Sequence, residues 1–217
     1  MKLERMADFF EARLDGYDAH MLSNIEGAHE FYPFTAQLLP AMSGAKVLDL
    51  GCGTGLELEY YFSLNPAASV TGIDLSAKML ANLQEQFPSR DLTLICGSYF
   101  DIPLDASTYA AAVSVESLHH FTMEQKLPLY QKVCNALTEK GYFILTDYFS
   151  LSEEEEREHF QTLAQLKEEN RISGHEFYHY DTPLTVAHET GVLIAAGFSK
   201  VEIQRSWGAT YTLKAMK

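Results

Sequence analysis

The run Val47-Leu-Asp-Leu-Gly-Cys-Gly-Thr-Gly55 constrains this chain more than any other stretch. Four residues of buried-strand character end abruptly in three glycines at alternate positions. Leu56 to Leu64 then reads as helical. A strand that turns through glycines into a helix opens a βαβ unit, because a tight turn and a close ligand approach both favour residues without a Cβ.

The text that follows keeps this rhythm. Ser69 to Ile73 is a second strand, and Ser76 is the expected N-cap of a helix reaching about Phe87. Asp91 to Cys96 is a third strand. Tyr109 to Val115, small and apolar, suits a central parallel strand covered on both faces. A helix from about Thr122 to Leu137 leads to a fifth strand, Gly141 to Thr146. Ser152 opens a charged helix to about Asn170, whose four glutamates read as a solvated first turn that suits the helix dipole. Residues 171–181 are irregular and rich in His and Tyr. Thr185 to Ala196 is helical, with Gly197 after it. Val201–Arg205 and Thr210–Lys214 are two last strands joined through Trp207-Gly208. Alternating strands and helices predict a doubly wound α/β fold. The expected sheet is mainly parallel and seven-stranded, with helices on both faces and the last strand antiparallel.

Residues 1–44 precede the first strand and are expected to form an N-terminal helical cap on a domain spanning 45–217. Leu3, Met6, Phe9, Phe10 and Leu14 recur at helix spacing, Gly16 interrupts them, and Ser23-Asn24 is the expected cap of a second helix containing Ile25, Ala28 and Phe31.

Composition narrows the partners. A net charge of −14 argues against nucleic acid, whose binding needs a basic face. Three cysteines, Cys52, Cys96 and Cys134, without CxxC spacing argue against a disulfide framework and a cysteine-rich metal site. No signal-peptide h-region and no run of ~18 apolar residues is evident. A cytoplasmic protein without a membrane partner, monomeric or homodimeric, is the expectation.

In such sheets ligands bind at the carboxyl ends of strands, where strand order reverses. The glycine turn reads GxGxG, and Leu56 stands where a dinucleotide fingerprint wants Gly or Ala. Asp74 closes the second strand and can accept hydrogen bonds from two ribose hydroxyls. Asp49 lies two residues before the first glycine. It would repel a pyrophosphate but can orient an ammonium group, directly or through water; it can equally hydrogen-bond loop amides.

These residues carry a resemblance. VLDLGCGTG at 47–55 and GID at 72–74 resemble motifs one and two of class I S-adenosylmethionine (SAM)-dependent methyltransferases, and the likeness extends over roughly 45–150. It implies that Gly51, Gly53 and the backbone of Cys52 face the methionine part of SAM. It implies that Asp74 holds the ribose and that Leu75 and Met79 pack near the adenosine. Ser98 stands where an Asp commonly meets the adenine amino group, so backbone at Tyr99 is expected to carry more of that contact. Ser114 and Val115 should border the methionine moiety. Tyr109-Ala-Ala-Ala also departs from the usual Phe-Asp-x-Val.

The acceptor side is less legible. His119 follows the fourth strand on the ligand side; imidazole titrates near neutral pH and can serve as a base, as pocket wall or as a packed residue at a helix start. His120 is expected to face away. Phe9 to His20 is the expected lid: Arg13, Tyr17 and His20 share a helix face if Gly16 does not break the helix, and can meet the carboxylate of SAM or the substrate, with Tyr17 and His20 as candidate catalytic residues beside His119; an ordinary amphipathic helix is the alternative. His175-Glu-Phe-Tyr-His-Tyr-Asp181 reads chiefly as a substrate-facing loop or as surface packing. It has a metal-ligating composition, alone or with His119, but no recognised metal spacing, so no metal is expected. The expected function is SAM-dependent methyl transfer to a small molecule. A non-catalytic SAM-binding regulator is the alternative, and an NAD-dependent oxidoreductase is disfavoured by Leu56 and Asp49.

Overall fold

The computed structural model describes residues 2–172 and 177–217. One seven-stranded sheet runs in the order β3-β2-β1-β4-β5-β7-β6. Its strands are β1 (Lys46–Leu50), β2 (Ser69–Asp74), β3 (Asp91–Cys96), β4 (Tyr109–Val115), β5 (Leu137–Tyr148), β6 (Lys200–Trp207) and β7 (Thr210–Met216). The first five pair in parallel; β7 is antiparallel to both β5 and β6. The sheet is the one expected, with strand order reversing between β1 and β4. That reversal leaves a crevice at their carboxyl ends.

Side chains alternate across the sheet with the period of two that strands impose. Val47, Ala111, Val113 and Ile144 pack with α3 (Ala28–Gln37) and α4 (Leu56–Leu64), where Phe31, Leu58, Tyr61 and Phe62 are buried. Leu48, Leu50, Ala112, Phe143 and Leu145 face the other way, toward α6 (Met123–Ala136) and α8 (Val186–Ala195). Ser76 caps α5 (Ala77–Gln86) by accepting from the Met79 amide at 3.2 Å, and Thr122 and Gln125 form a capping box on α6.

Several polar groups inside are paired across elements. Thr35, Thr146 and Thr212 link α3, β5 and β7 through hydroxyl contacts of 2.6 and 2.8 Å. Lys126 on α6 meets Glu189 on α8 at 2.5 Å, and the Tyr130 hydroxyl donates to the same carboxylate. The expected solvated helix start is only partly so. In α7 (Glu153–Glu169), Glu156 is buried and accepts from the Thr185 amide at 2.5 Å.

The N-terminal segment departs from expectation. It forms α1 (Met6–Glu11), α2 (Tyr17–Asn24) and α3. Ser23-Asn24 ends a helix rather than starting one, because Gly16 and Gly27 adopt left-handed φ of 82° and 77° and restart the chain there. Gly27 also lets Trp207 approach: a Cβ there would lie 2.5 Å from that of Trp207. β5 begins at Leu137 rather than Gly141, since Leu137 pairs with Tyr109 beside a bulge. No helix among the described residues is long and apolar enough to cross a membrane.

Replacing Glu189 with Gln leaves the buried Lys126 ammonium without its counter-ion. Urea denaturation should show a loss of about 3–5 kcal/mol, and the apolar pair Lys126→Met/Glu189→Leu should recover most of it. A Glu189→Gln chain as stable as the parent would contradict the role given to this pair.

Candidate functional site

The glycine turn is held from beneath. The amides of Gly51 and Cys52 donate to the carbonyl of Ile73 at 2.8 and 3.3 Å. The Gly53 amide donates to Asp74 Oδ2 at 2.9 Å, and the Ser76 amide to Asp74 Oδ1 at 2.8 Å. One carboxylate thus ties the turn after β1 to the start of α5. Burial raises the Asp74 pKa, against the pull of its backbone donors. Gly51 has a φ of 75°, and a Cβ there would lie 2.1 Å from Ser117 Oγ. Only glycine gives both the turn and this approach of the β4 end.

A narrow cleft lies above this turn, with about 40 Å³ of open space. Of the residues expected to meet a cofactor, Gly51, Gly53, Asp74, Leu75, Met79, Tyr99 and Val115 border it. Met6 and Phe10 of α1 also line it, joined by Tyr17 of α2.

Four expected contacts do not border the cleft. Asp49 is buried in the sheet beside Glu57 of α4; burial and that neighbour hold its carboxyl well above the usual range. Asp49 Oδ2 and Glu57 Oε1 lack a hydrogen-bond partner among the described residues, so this pair keeps a proton rather than both charges. The Cys52 amide is turned into the sheet, and its thiol packs where a Cβ on Gly72 would sit, 2.7 Å away. Ser114 Oγ donates to the Leu50 carbonyl at 2.8 Å. Ser98 Oγ accepts from the Phe100 amide at 3.2 Å in a local turn. These side chains shape the strand ends beneath the cleft.

A second cavity of about 760 Å³ adjoins the cleft, with Phe10, Tyr17, Glu116 and His120 lining both. His119 borders that cavity. Its Nδ1 lies 2.5 Å from Asp147 Oδ1, and Asp147 is itself held by the amides of Leu118 and Tyr148, each at 2.9 Å. His119 Nε2 lies 3.6 Å from Asp181 Oδ1, and Glu116 Oε2 lies 3.9 Å from Nδ1. Burial disfavours charge on this ring, but Asp147 and Asp181 outweigh it and hold the imidazole pKa well above its ordinary value. Burial, assisted by Asp147, pushes the Glu116 carboxyl up to about 8. Glu116 also holds a φ of 47°, uncommon for a residue with a Cβ.

His120 does not face away. Its Nδ1 lies 3.1 Å from Asp181 Oδ1, and its ring borders both cavities. The expectation failed because the two histidines sit in a turn before α6 rather than on opposite sides of a strand. The segment carrying Asp181 crosses over them. Phe177 accepts from the Met6 amide at 3.0 Å, His179 donates to the Glu4 carbonyl at 3.0 Å, and Thr182 donates to the His119 carbonyl at 2.8 Å. The His179 ring stacks on Phe9 at 3.5 Å. His175 and Glu176, also part of the expected His/Tyr cluster, lie outside the described residues.

The shared face of Arg13, Tyr17 and His20 does not form, because α1 ends at Glu11 and Gly16 turns the chain. Arg13 pairs with Glu4 at 3.1 Å and lies over the Phe9 ring. Tyr17 stands at the junction of the cavities, its phenol kept protonated by burial and nearby carboxylates. His20 sits at the rim, accepting from Asn24 at 2.7 Å or donating to its amide oxygen if that group is flipped. Sequence reading missed Glu116 and Asp147. Asp147 carried a signal, an acid ending the apolar run Tyr142-Phe-Ile-Leu-Thr-Asp147 as Asp74 ends β2; Glu116 carried none.

Comparison with known proteins agrees with this geometry. Residues 47–141 match the family model of a methyltransferase domain. The chain is 44% identical over 55 residues to the phycocyanin operon protein W of Pseudanabaena tenuis, covering 25% of this chain and 52% of that protein. It is 24% identical over 195 residues to the carboxy-S-adenosyl-L-methionine synthase of Campylobacter concisus, covering 84% and 80%. A solved structure titled as a putative O-methyltransferase from Nostoc punctiforme superposes with a TM-score of 0.73 at 22% identity, over 100% of this chain and 63% of that one, a likeness of fold. The chain spans about half the length, or less, of the first curated relatives it matches.

Proposed function

We propose that this chain, a member of the class I SAM-dependent methyltransferase family, binds SAM in the cleft above the glycine turn and transfers its methyl group to a small molecule in the adjoining cavity. The observation that carries the reading is that the two cavities are neighbours, with Phe10, Tyr17, Glu116 and His120 lining both. Methyl transfer requires a nucleophile in line with the sulfonium, and adjacent sites for cofactor and acceptor suit that requirement.

The residues present suit the cofactor. Each Asp74 oxygen accepts one backbone amide and keeps a lone pair for a ribose hydroxyl. Gly51 and Gly53 bring bare backbone to the methionine part, while Leu75 and Met79 offer apolar surface to the adenosine. SAM supplies an activated methyl group on sulfur, so the protein has mainly to align the partners and exclude water. Met6 and Phe10 line the cleft from α1 and are assigned to excluding water; with about 40 Å³ of open space there, we assign to α1 the displacement that admits the cofactor.

The adjoining cavity is lined by residues between Phe9 and Ile25, by Glu116, His119 and His120 and by His179 and Asp181, and its volume of about 760 Å³ suits a small molecule. Within it we assign His119 to the attacking group of the acceptor, Tyr17 to the junction with the cofactor and His20 to the rim.

Calorimetry with S-adenosylhomocysteine should show binding to the parent chain and at least tenfold weaker binding to Asp74→Ala; equal affinity would remove Asp74 from the cofactor site. Conversion of SAM to S-adenosylhomocysteine, followed over a panel of hydroxyl, amine and thiol metabolites, should find an acceptor. His119→Ala should slow that turnover about a hundredfold or more while leaving cofactor affinity within twofold. Cofactor binding without turnover on any acceptor would instead describe a SAM-sensing protein.

A further inference from the structure

We propose that His119 Nε2, His120 Nδ1 and Asp181 Oδ1 form a binding site for a divalent transition-metal cation that holds the methyl acceptor by an oxygen. This rests on the methyltransferase reading and says how His119 meets the acceptor.

The three atoms already stand as ligands of one ion stand. Asp181 Oδ1 is 3.6 Å from His119 Nε2 and 3.1 Å from His120 Nδ1, and all three atoms lie within 4.8 Å of one another. Bonds of about 2.0–2.2 Å to nitrogen and oxygen place tetrahedral ligands roughly 3.3–3.6 Å apart. The ligands come from two segments, and the Thr182 amide bond to the His119 carbonyl at 2.8 Å keeps these in register.

The surroundings fit a cation as well as the ligands do. Asp147 occupies His119 Nδ1 at 2.5 Å and is anchored by two backbone amides, which fixes the ring with Nε2 toward Asp181. A carboxylate behind a ligating histidine is the usual outer support of a metal site. Asp147 and Asp181 both lie within 3.6 Å of one imidazole, two carboxylates that one imidazolium does not balance and a divalent cation does. An imidazole so enclosed by carboxylates is poorly placed to work as a free base. Two imidazoles and one carboxylate suit Zn²⁺ and its first-row neighbours better than Mg²⁺ or Ca²⁺.

Three protein ligands leave at least one position open, as catalytic sites do. His119, His120 and Asp181 all line the 760 Å³ cavity, so an acceptor there is within reach of such a position. A hydroxyl acceptor bound there becomes more acidic and gives its proton to water. The alkoxide lone pair then forms the O–C bond to the methyl, and the C–S electron pair returns to sulfur, leaving the methyl ether and the neutral thioether.

The test uses the full chain without a histidine tag, stripped with EDTA and titrated calorimetrically with ZnCl₂. About one equivalent should bind, and Asp181→Asn and His120→Gln should each weaken binding at least tenfold, while Asp147→Asn should weaken it by about 10–100-fold. Asp181 has a side chain 47% exposed, so its near-isosteric variant is expected to fold. Asp181→Asn, whose side chain does not line the cofactor cleft, should bind S-adenosylhomocysteine within twofold of the parent. Absence of Zn²⁺ binding, or equal binding by Asp181→Asn and His120→Gln, would overturn the proposal. S-adenosylhomocysteine binding to the stripped chain separates the two readings: cofactor binding without Zn²⁺ binding removes the metal site alone, and no cofactor binding removes the reading on which it rests.

Discussion

Two backbone amides converge on the carboxylate of Asp74, one from the glycine turn and one from the start of α5. That convergence sets the cleft. It joins the end of β1 to the end of β2 at the place where strand order reverses, and so makes a floor for a ligand from main chain and one acid. Glycine at 51 lets the end of β4 close in from the side, where Glu116 and His120 border the same space.

Around His119 the fold retains features that packing alone would not select. A buried carboxylate, Glu116, sits on a left-handed backbone, and three acids surround one imidazole. Burying charge is unfavourable unless it is compensated. The contrast with Lys126 and Glu189 is instructive, because there one cation meets one anion and a tyrosine completes the pairing. At His119 the balance is left short, in a cavity open to a ligand. The residues of α1, α2 and the segment around His179 that line this cavity belong to the least regular parts of the chain.

Much of the sheet was legible because its signals are local. Val47–Leu50 before glycines, Ser76 before α5 and small residues in β4 each state their structure within a few positions, and Asp74 follows from its place at a strand end. The N-terminal segment was harder to read, since Gly16 and Gly27 act through left-handed turns and, at Gly27, through the remote Trp207. Asp49, Cys52, Ser98 and Ser114 lie in the right motifs, yet their side chains or amides point into the sheet or a local turn. Motif position gives the strand end but not the direction a side chain takes. His120 and Asp181 come together only through a long-range crossing, stitched by Thr182 to His119, that no spacing along the chain records.

The central claim is that the glycine-turn cleft holds the cofactor with its reacting sulfur turned toward the cavity of His119. A crystal structure of the chain with S-adenosylhomocysteine tests this most directly. The account predicts both ribose hydroxyls on the Asp74 carboxylate, Met6 and Phe10 displaced from their places in the cleft, and the thioether facing the space shared by Tyr17, Glu116 and His120. A ribose held elsewhere, or a sulfur directed away from that space, would contradict it.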